Sequence, residues 1–260
     1  MLHVHRSNRT EILVDVLAEL YVERAQTPSP DDAACLAPDW MVVQGRGMAV
    51  WLATELATRL GVWAGGGFLY PRNFVARAFE AVVGTAEPEA FHPDRLTWAV
   101  MAALREHLHD ERLSPIARYL EPDRDDGTER YLRRLALARR IGYVFDQYLT
   151  YRPEMLRAWE SGDDDVAIAH GEAWQPLVWR SICGSVSGGV REPEAQHLAA
   201  LEEAFAGRLE ANAQALPRRM FLFGLASLPP LYVRVLGAMS RHVEVHWLLP
   251  VPAAGHFSDM

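Results

Sequence analysis

The chain has no lysine: all 26 of its basic residues are arginine. That removes nuclease centres of the carboxylate-plus-lysine kind. It also removes the lysine that a nucleotide-hydrolysing phosphate loop, G-x-x-x-x-G-K-[ST], places on the outer phosphates. Arginine is no simple substitute, because its planar fork suits a different geometry. There are only two cysteines, Cys35 and Cys183. They are isolated, lack metal-ligand spacing, and suit a reducing cytoplasm. No run reaches the roughly 18 apolar residues of a membrane span, and the start, MLHVHRSNRT, has no signal core. No G-x-S-x-G elbow is present. Ser181-Ile182-Cys183-Gly184-Ser185 falls in a helical pattern with no assigned base. The calcium-loop ladder suggested by Asp123, Asp125 and Gly127 is broken. A net charge of −8 and a pI near 5.7 argue against a whole-surface nucleic-acid binder and leave room for a local arginine groove.

What the chain does have is a core. Half of its 260 residues are hydrophobic, enough for one large domain or two small ones, and eight tryptophans and sixteen prolines argue against disorder. The organising stretch is Met41 to Leu60. A strand-like run, Met41-Val42-Val43, is followed by the loop Gln44-Gly45-Arg46-Gly47. An amphipathic helix comes next, with Met48, Trp51, Leu52, Leu56 and Leu60 at three- and four-residue steps. Strand, glycine loop and helix is the layout of a phosphate-binding loop. Gly47 is followed by Met48 and Ala49, so a nucleotide-loop fold here has lost hydrolysis. Spacing alone favours an ordinary βα turn.

Around that stretch the pattern predicts a first strand over Leu2–His5. A helix capped by Ser7 or Asn8 follows and runs to about Arg24; a proline-rich loop covers 27–38. Val62–Leu69 is an apolar run holding Gly65-Gly66-Gly67, which permits close backbone approach or a bulge. A helix over about 74–83 comes next. No strand is expected between Pro93 and about Arg208; helices are expected at 94–108, 112–120, 128–149, 153–160, 170–186 and 193–213. Strands return at Met220–Phe223 and His242–Leu249, with a helix from Pro229 or Pro230 to Met239 between them. The expected architecture is α/β with a parallel-sheet core formed by 1–90 and 215–260, interrupted by a large all-helical insertion over 91–214. The final residues, Gly255 to Met260, read as a cut inside a longer protein.

His3 with His5, and His242 with His246, share strand faces, but a metal needs three or four converging ligands. Hydrogen-bonded or solvated histidines are the expectation, and no metal. Asp163-Asp164-Asp165 reads as a solvated loop. The helix at 128–149 carries Arg130, Arg133, Arg134, Arg139 and Arg140, with Phe145, Asp146, Gln147, Tyr148, Tyr151 and Arg152 following. Aromatics, arginines and amides together can stack on bases and read their edges. Spacing alone favours a helix with core aromatics and an exposed arginine face.

Several stretches, in order along the whole chain, resemble the RecC (gamma) subunit family of exodeoxyribonuclease V, the RecBCD helicase–nuclease. They are Leu2-His3-Val4-His5-Arg6-Ser7-Asn8-Arg9; Val43-Gln44 through Gly47-Met48-Ala49 and Trp51-Leu52; Phe145-Asp146-Gln147-Tyr148-Leu149; and Tyr151-Arg152-Pro153. Trp159-Glu160, Ala173-Trp174-Gln175 with Leu177 and Trp179, and Gly224 with Leu228-Pro229-Pro230 and Tyr232 complete the set. The resemblance implies an inactivated superfamily-1-helicase-like core (1A-like) with a helical subdomain (1B-like). The stretch comparable to the acidic second motif, Met220 to Leu225, has no carboxylate.

It further implies a non-catalytic subunit that guides single-stranded and forked DNA and scans for a Chi-like sequence. The partners implied are RecB-like and RecD-like subunits in a cytoplasmic complex that itself uses ATP and magnesium, with no cofactor in this segment. The strand-contacting positions it carries over are Gln44, Asp146, Gln147 and Arg152, with Arg46 and Tyr70 as neighbours. Arg46, Val50, Tyr70 and Ala76 depart from the family's polar and aromatic choices. Two readings from other classes stay open: a nucleotide-binding α/β enzyme using Gly45-Arg46-Gly47 or the three glycines at 65–67, and a pure protein-assembly module.

Overall fold

A computed structural model describes residues 1–26, 38–64, 66–84, 93–120, 127–185 and 194–252. Cys35, Gly65, Asp123, Asp125 and Gly255–Met260 lie outside the described residues. The chain forms two compact units: residues 1–86 with 205–260, and residues 87–204.

The first unit is built on five parallel strands: β1 (Leu2–Ser7), β2 (Asp39–Val43), β3 (Gly66–Leu69), β4 (Arg219–Phe223) and β5 (Glu244–Pro250), in the order β1-β5-β4-β2-β3. Parallel strands buried on both faces read as continuous apolar runs, and β2 and β4 are buried at every position. Helices α1 (Thr10–Gln26) and α2 (Arg46–Leu60) cover one face. Leu13, Val14, Leu17, Leu52 and Leu56 pack there on Met41, Val43, Phe221, Phe223 and Leu248. On the other face, α3 (Pro71–Val83) sets Phe74 edge-on to Trp40.

Only the end of the apolar run at 62–69 becomes strand. Trp63 leaves it and lays its ring over Gly66, where a Cβ would come within 2.2 Å of the indole; Gly66 is therefore glycine for packing. The amino end of β2 begins earlier than its apolar run, because Asp39 is buried but doubly paired. Arg24 Nη1 donates to Oδ1 (2.7 Å) and Arg219 Nη2 to Oδ2 (3.1 Å), while the Arg219 guanidinium lies over the Tyr21 and Phe221 rings.

The second unit is helical among the described residues: α4 (Pro93–His107), α5 (Ser114–Leu120), α6 (Gly127–Tyr151), α7 (Pro153–Glu160), α8 (Asp165–Ala169) and α9 (Trp174–Ser185). Then comes α10 (Glu194–Asn212), whose residues from Phe205 onward belong to the first unit. There Phe205 meets Phe79 edge-on.

The core of the helical unit is an aromatic knot. Phe145 meets Trp159 and Trp179 edge-on, and Tyr148 also meets Trp159. Gly142 lets α6 approach α4 closely, since a Cβ there would lie 3.2 Å from the Thr97 nitrogen. The sequence pattern runs one helix from 170 to 186. The structure instead ends α8 at Ala169 and starts α9 at Trp174. Gly171 takes φ +71, and Glu172 N–H closes onto Ala167 O at 2.8 Å, a glycine-terminated helix end. In the first unit α11 (Pro230–Met239) precedes β5. That strand starts at Glu244, which leaves His242 in the preceding turn.

Candidate functional site

The candidate residues fall into two groups, one in each unit. Gln44, Arg46 and Tyr70 belong to the first. Gln44 follows the last residue of β2, Arg46 opens α2, and Tyr70 follows β3. Since β2 and β3 are adjacent and parallel, all three sit at the carboxyl ends of neighbouring strands, where open α/β sheets bind their ligands.

Gln44 is exposed, and its Nε2 donates to Gly224 O at 2.7 Å. Gly224 directly follows β4 with φ +74, a region that favours glycine. Its N–H donates to Leu248 O at 3.1 Å. The loops after β2 and β4 and the strand β5 are thus tied together at one edge. Gly45, extended at φ −177, precedes α2 and makes no side-chain cap, although its carbonyl accepts Ala49 N–H at 3.1 Å. The helix therefore presents open N–H groups to the loop. No lysine or acidic residue is available there for phosphoryl transfer: Met48 and Ala49 occupy the positions after Gly47, and the described β4 is wholly apolar from Met220 to Phe223. Tyr70 is 39% exposed and closes the first turn of α3 through its carbonyl, which accepts Phe74 N–H at 2.8 Å.

Asp146, Gln147 and Arg152 belong to the helical unit, at the carboxyl end of α6. They are neighbours in sequence but not equals in exposure. Asp146 is 7% exposed, Gln147 is half-buried, and Arg152 is exposed. Gln147 Nε2 lies 3.5 Å from Asp146 Oδ2. Arg152 joins α6 to α7: its N–H donates to Tyr148 O at 2.8 Å, its carbonyl accepts Met155 N–H at 3.1 Å, and Pro153 opens α7. The exposed face of α6 carries Arg139, Arg140 and Tyr143, one and two turns before Gln147. Of the other arginines on this helix, Arg133 is half-buried and paired with Glu129 at 2.5 Å.

Gly224 was not among the site residues expected from the sequence. The signal was there, a glycine directly after a buried strand and before Leu228-Pro229-Pro230, but nothing local joins it to Gln44.

The histidines form a third cluster, on β1 and β5. His3 and His5 stack on His246, with ring centroids 5.0 and 5.4 Å away, and Phe221 stacks on it at 5.3 Å. His246 Nε2 lies 3.1 Å from Glu244 Oε1, and His246 Nδ1 lies 3.2 Å from His5 Nε2. A carboxylate can only accept, so His246 carries its proton on Nε2 and His5 donates to Nδ1. Burial pulls the His246 pKa below its ordinary value, against the pull of Glu244. Among the described residues no group of three or more His, Cys, Asp or Glu is arranged to hold a metal, and no helix is long and apolar enough to cross a membrane.

Comparison with known proteins accounts for the ordered motifs. The family described as RecC, N-terminal domain, matches residues 2–260. The RecBCD enzyme subunit RecC of Escherichia coli is 32% identical over all of this chain and 22% of its own length. The subunit of the same name from Mycolicibacterium smegmatis is 32% identical over 97% of the chain and 21% of its own. That of Haemophilus influenzae is 30% identical over all of the chain and 24% of its own. The chain thus spans about a fifth of the length of these relatives. With a parallel α/β sheet, the glycine loop after β2 and the family match over residues 2–260, this chain belongs to the RecC N-terminal domain family.

Proposed function

We propose that this chain is the non-catalytic, strand-guiding part of a RecBCD-type helicase–nuclease, acting in double-strand-break repair and recombination. In this reading the sheet unit is a superfamily-1-helicase-like core that no longer hydrolyses nucleotide, and the helical unit is its 1B-like insertion. ATP and magnesium act in RecB-like and RecD-like partner subunits, in the cytoplasm. Single-stranded DNA from a forked end passes the carboxyl edge of the sheet, where Gln44, Arg46 and Tyr70 meet it. Gln147 and Arg152 meet it at the end of α6. Amide and guanidinium groups read base edges, aromatic rings stack, and arginines hold phosphates. Asp146, being buried, acts through Gln147, which it positions. The recognised element is a Chi-like sequence whose letters differ wherever Arg46, Val50, Tyr70 and Ala76 differ from the family's choices.

One observation carries this reading. The sheet edge that binds ligands in α/β folds gathers polar and aromatic side chains, yet it lacks both the lysine and the carboxylate that phosphoryl transfer needs. The test is binding of single-stranded DNA over a salt series, with an ATP titration beside it. Binding that weakens steeply with salt, without magnesium-dependent ATP turnover, is expected. Turnover would return the glycine loop to a working active site. Absence of both activities, in the chain alone and in the assembled complex, would leave a pure assembly module.

A further inference from the structure

The sheet is covered unevenly. On the histidine face, α1 and α2 lie over the strands. On the opposite face the cover is α3 and, packed beside it, α11. Strand register puts Leu2 beside Val245 and Val4 beside Trp247 on that second face. Val245 is fully buried, but Leu2 and Val4 are 42% and 45% exposed. The edge of β1 is also unpaired among the described residues, because β1 ends the strand order. Met1 O accepts from Val245 N–H and Ser7 O from Val251 N–H, both at 2.9 Å. Backbone groups alternate along a strand, so those of Leu2, Val4 and Arg6 point away from β5 to the open edge. An open edge beside an uncovered apolar strip is what folded proteins avoid leaving bare.

Connection handedness says what belongs there. The crossovers β1→β2 and β2→β3 move along the sheet toward β3 and carry α1 and α2 on the histidine face. The crossovers β3→β4 and β4→β5 move the other way and carry α3 and α11 on the opposite face. All four therefore have one hand, as the rule for parallel crossovers requires. A further step from β5, past β1 to its free edge, moves in the same direction as β4→β5. It must carry its helix on the face of Leu2 and Val4, and it delivers a strand to the open edge.

We infer that the polypeptide following this N-terminal domain in the full-length protein lays an amphipathic helix over Leu2 and Val4 and pairs a parallel strand with the free edge of β1. The relatives, of which this chain covers 22%, 21% and 24%, have ample polypeptide for it. The helix is apolar toward the sheet, since the strip offers two aliphatic side chains next to Trp247.

The test uses the full-length chain without other subunits. Val4→Cys is alkylated beside a reference, Val62→Cys, in the same background; Val62 is 80% exposed. Labelling is read by peptide mass, so native cysteines do not interfere. The expected result is labelling of position 4 slowed at least about tenfold relative to position 62, with the difference abolished in denaturant. In the unsubstituted chain the backbone amides of Val4 and Arg6 exchange slowly. Equal alkylation with fast amide exchange overturns the inference. So does protection that vanishes on dilution, which would mean a second copy, or protection that appears only when partner subunits are added.

Discussion

The two units solve the same problem, burying charge and aromatic surface, in different ways. In the sheet unit the polar residues lie at strand ends and reach across the sheet. Asp39 at the amino end of β2 holds Arg24 and Arg219, and Gln44 at the carboxyl end of the same strand holds Gly224. In the helical unit the ties span 16 to 21 positions, against 180 for Arg219–Asp39 and Gln44–Gly224, and are centred on rings. Trp179 donates from Nε1 to Glu160 Oε1 at 3.0 Å, and Arg180 forks onto Asp164 at 2.6 and 2.7 Å while also donating to Trp159 O. A sheet joins distant segments by necessity, so two of these three polar ties are long-range. A helical stack joins neighbours, so packing of large rings carries the order. Candidate DNA-contacting side chains follow the same divide. They stand at strand-to-helix junctions in the sheet unit and at one helix end in the other.

The largest effect that would sharpen this comparison is Trp179→Ala. Trp179 is fully buried against Phe145, and its loss should cost about 3–5 kcal/mol, read as lower midpoint stability and lost amide protection around Phe145 and Trp159. Retained protection there would show that the rings do not carry the helical unit. Next is Asp39→Ala, which strands the buried Arg219 guanidinium. About 3 kcal/mol is expected, and Asp39→Asn should recover part of it. A neutral Asp39→Ala would break the claim that the sheet unit depends on its strand-end charge.

A smaller, pH-dependent effect comes from His246, which is 3% exposed. The groups acting on it are Glu244, His3 and His5, with the Phe221 ring from β4. Its folded pKa lies below the ordinary 6.5. Above that pH both folded and unfolded forms are neutral and stability is complete. Below it the unfolded chain takes a proton the fold resists, so stability falls as pH falls. Denaturant midpoints of the native chain between neutral and mildly acidic pH should drop, and His246→Phe should flatten the slope. An unchanged slope would remove His246 as the cause. Smallest is Gln44→Ala: one half-exposed hydrogen bond is worth about 1 kcal/mol or less. On the proposed strand-guiding function its larger consequence is weaker binding of single-stranded DNA, out of proportion to that small loss of stability, which separates function from fold.

Much of the local structure was legible. The three- and four-residue spacing after Gly47 gave α2, and the uninterrupted apolar runs gave β2 and β4. What misled was of two kinds, a partner far along the chain and backbone or packing geometry within a few residues. Asp39 begins a strand because two arginines neutralise it. Trp63 leaves an apolar run because Gly66 offers it a seat. Gly171 closes the short helix α8 with φ +71 and so delays to Trp174 a helix whose pattern starts at 170. At the candidate site, the glutamine and the glycine loop could be picked out, but not the buried state of Asp146, which depends on how α6 turns toward the aromatic knot.

By itself the sequence determined that no lysine chemistry is available anywhere, that the loop after β2 lacks the residues of nucleotide hydrolysis, and that apolar periods alternate between strand and helix. These follow from residue identity and spacing, which folding cannot change. Only the tertiary structure decided that Gln44 meets Gly224, 180 positions away, and that His5 meets His246, 241 positions away. Strand order made those neighbours. It is fixed by how each helix covers the sheet rather than by any pattern within a few residues of either partner.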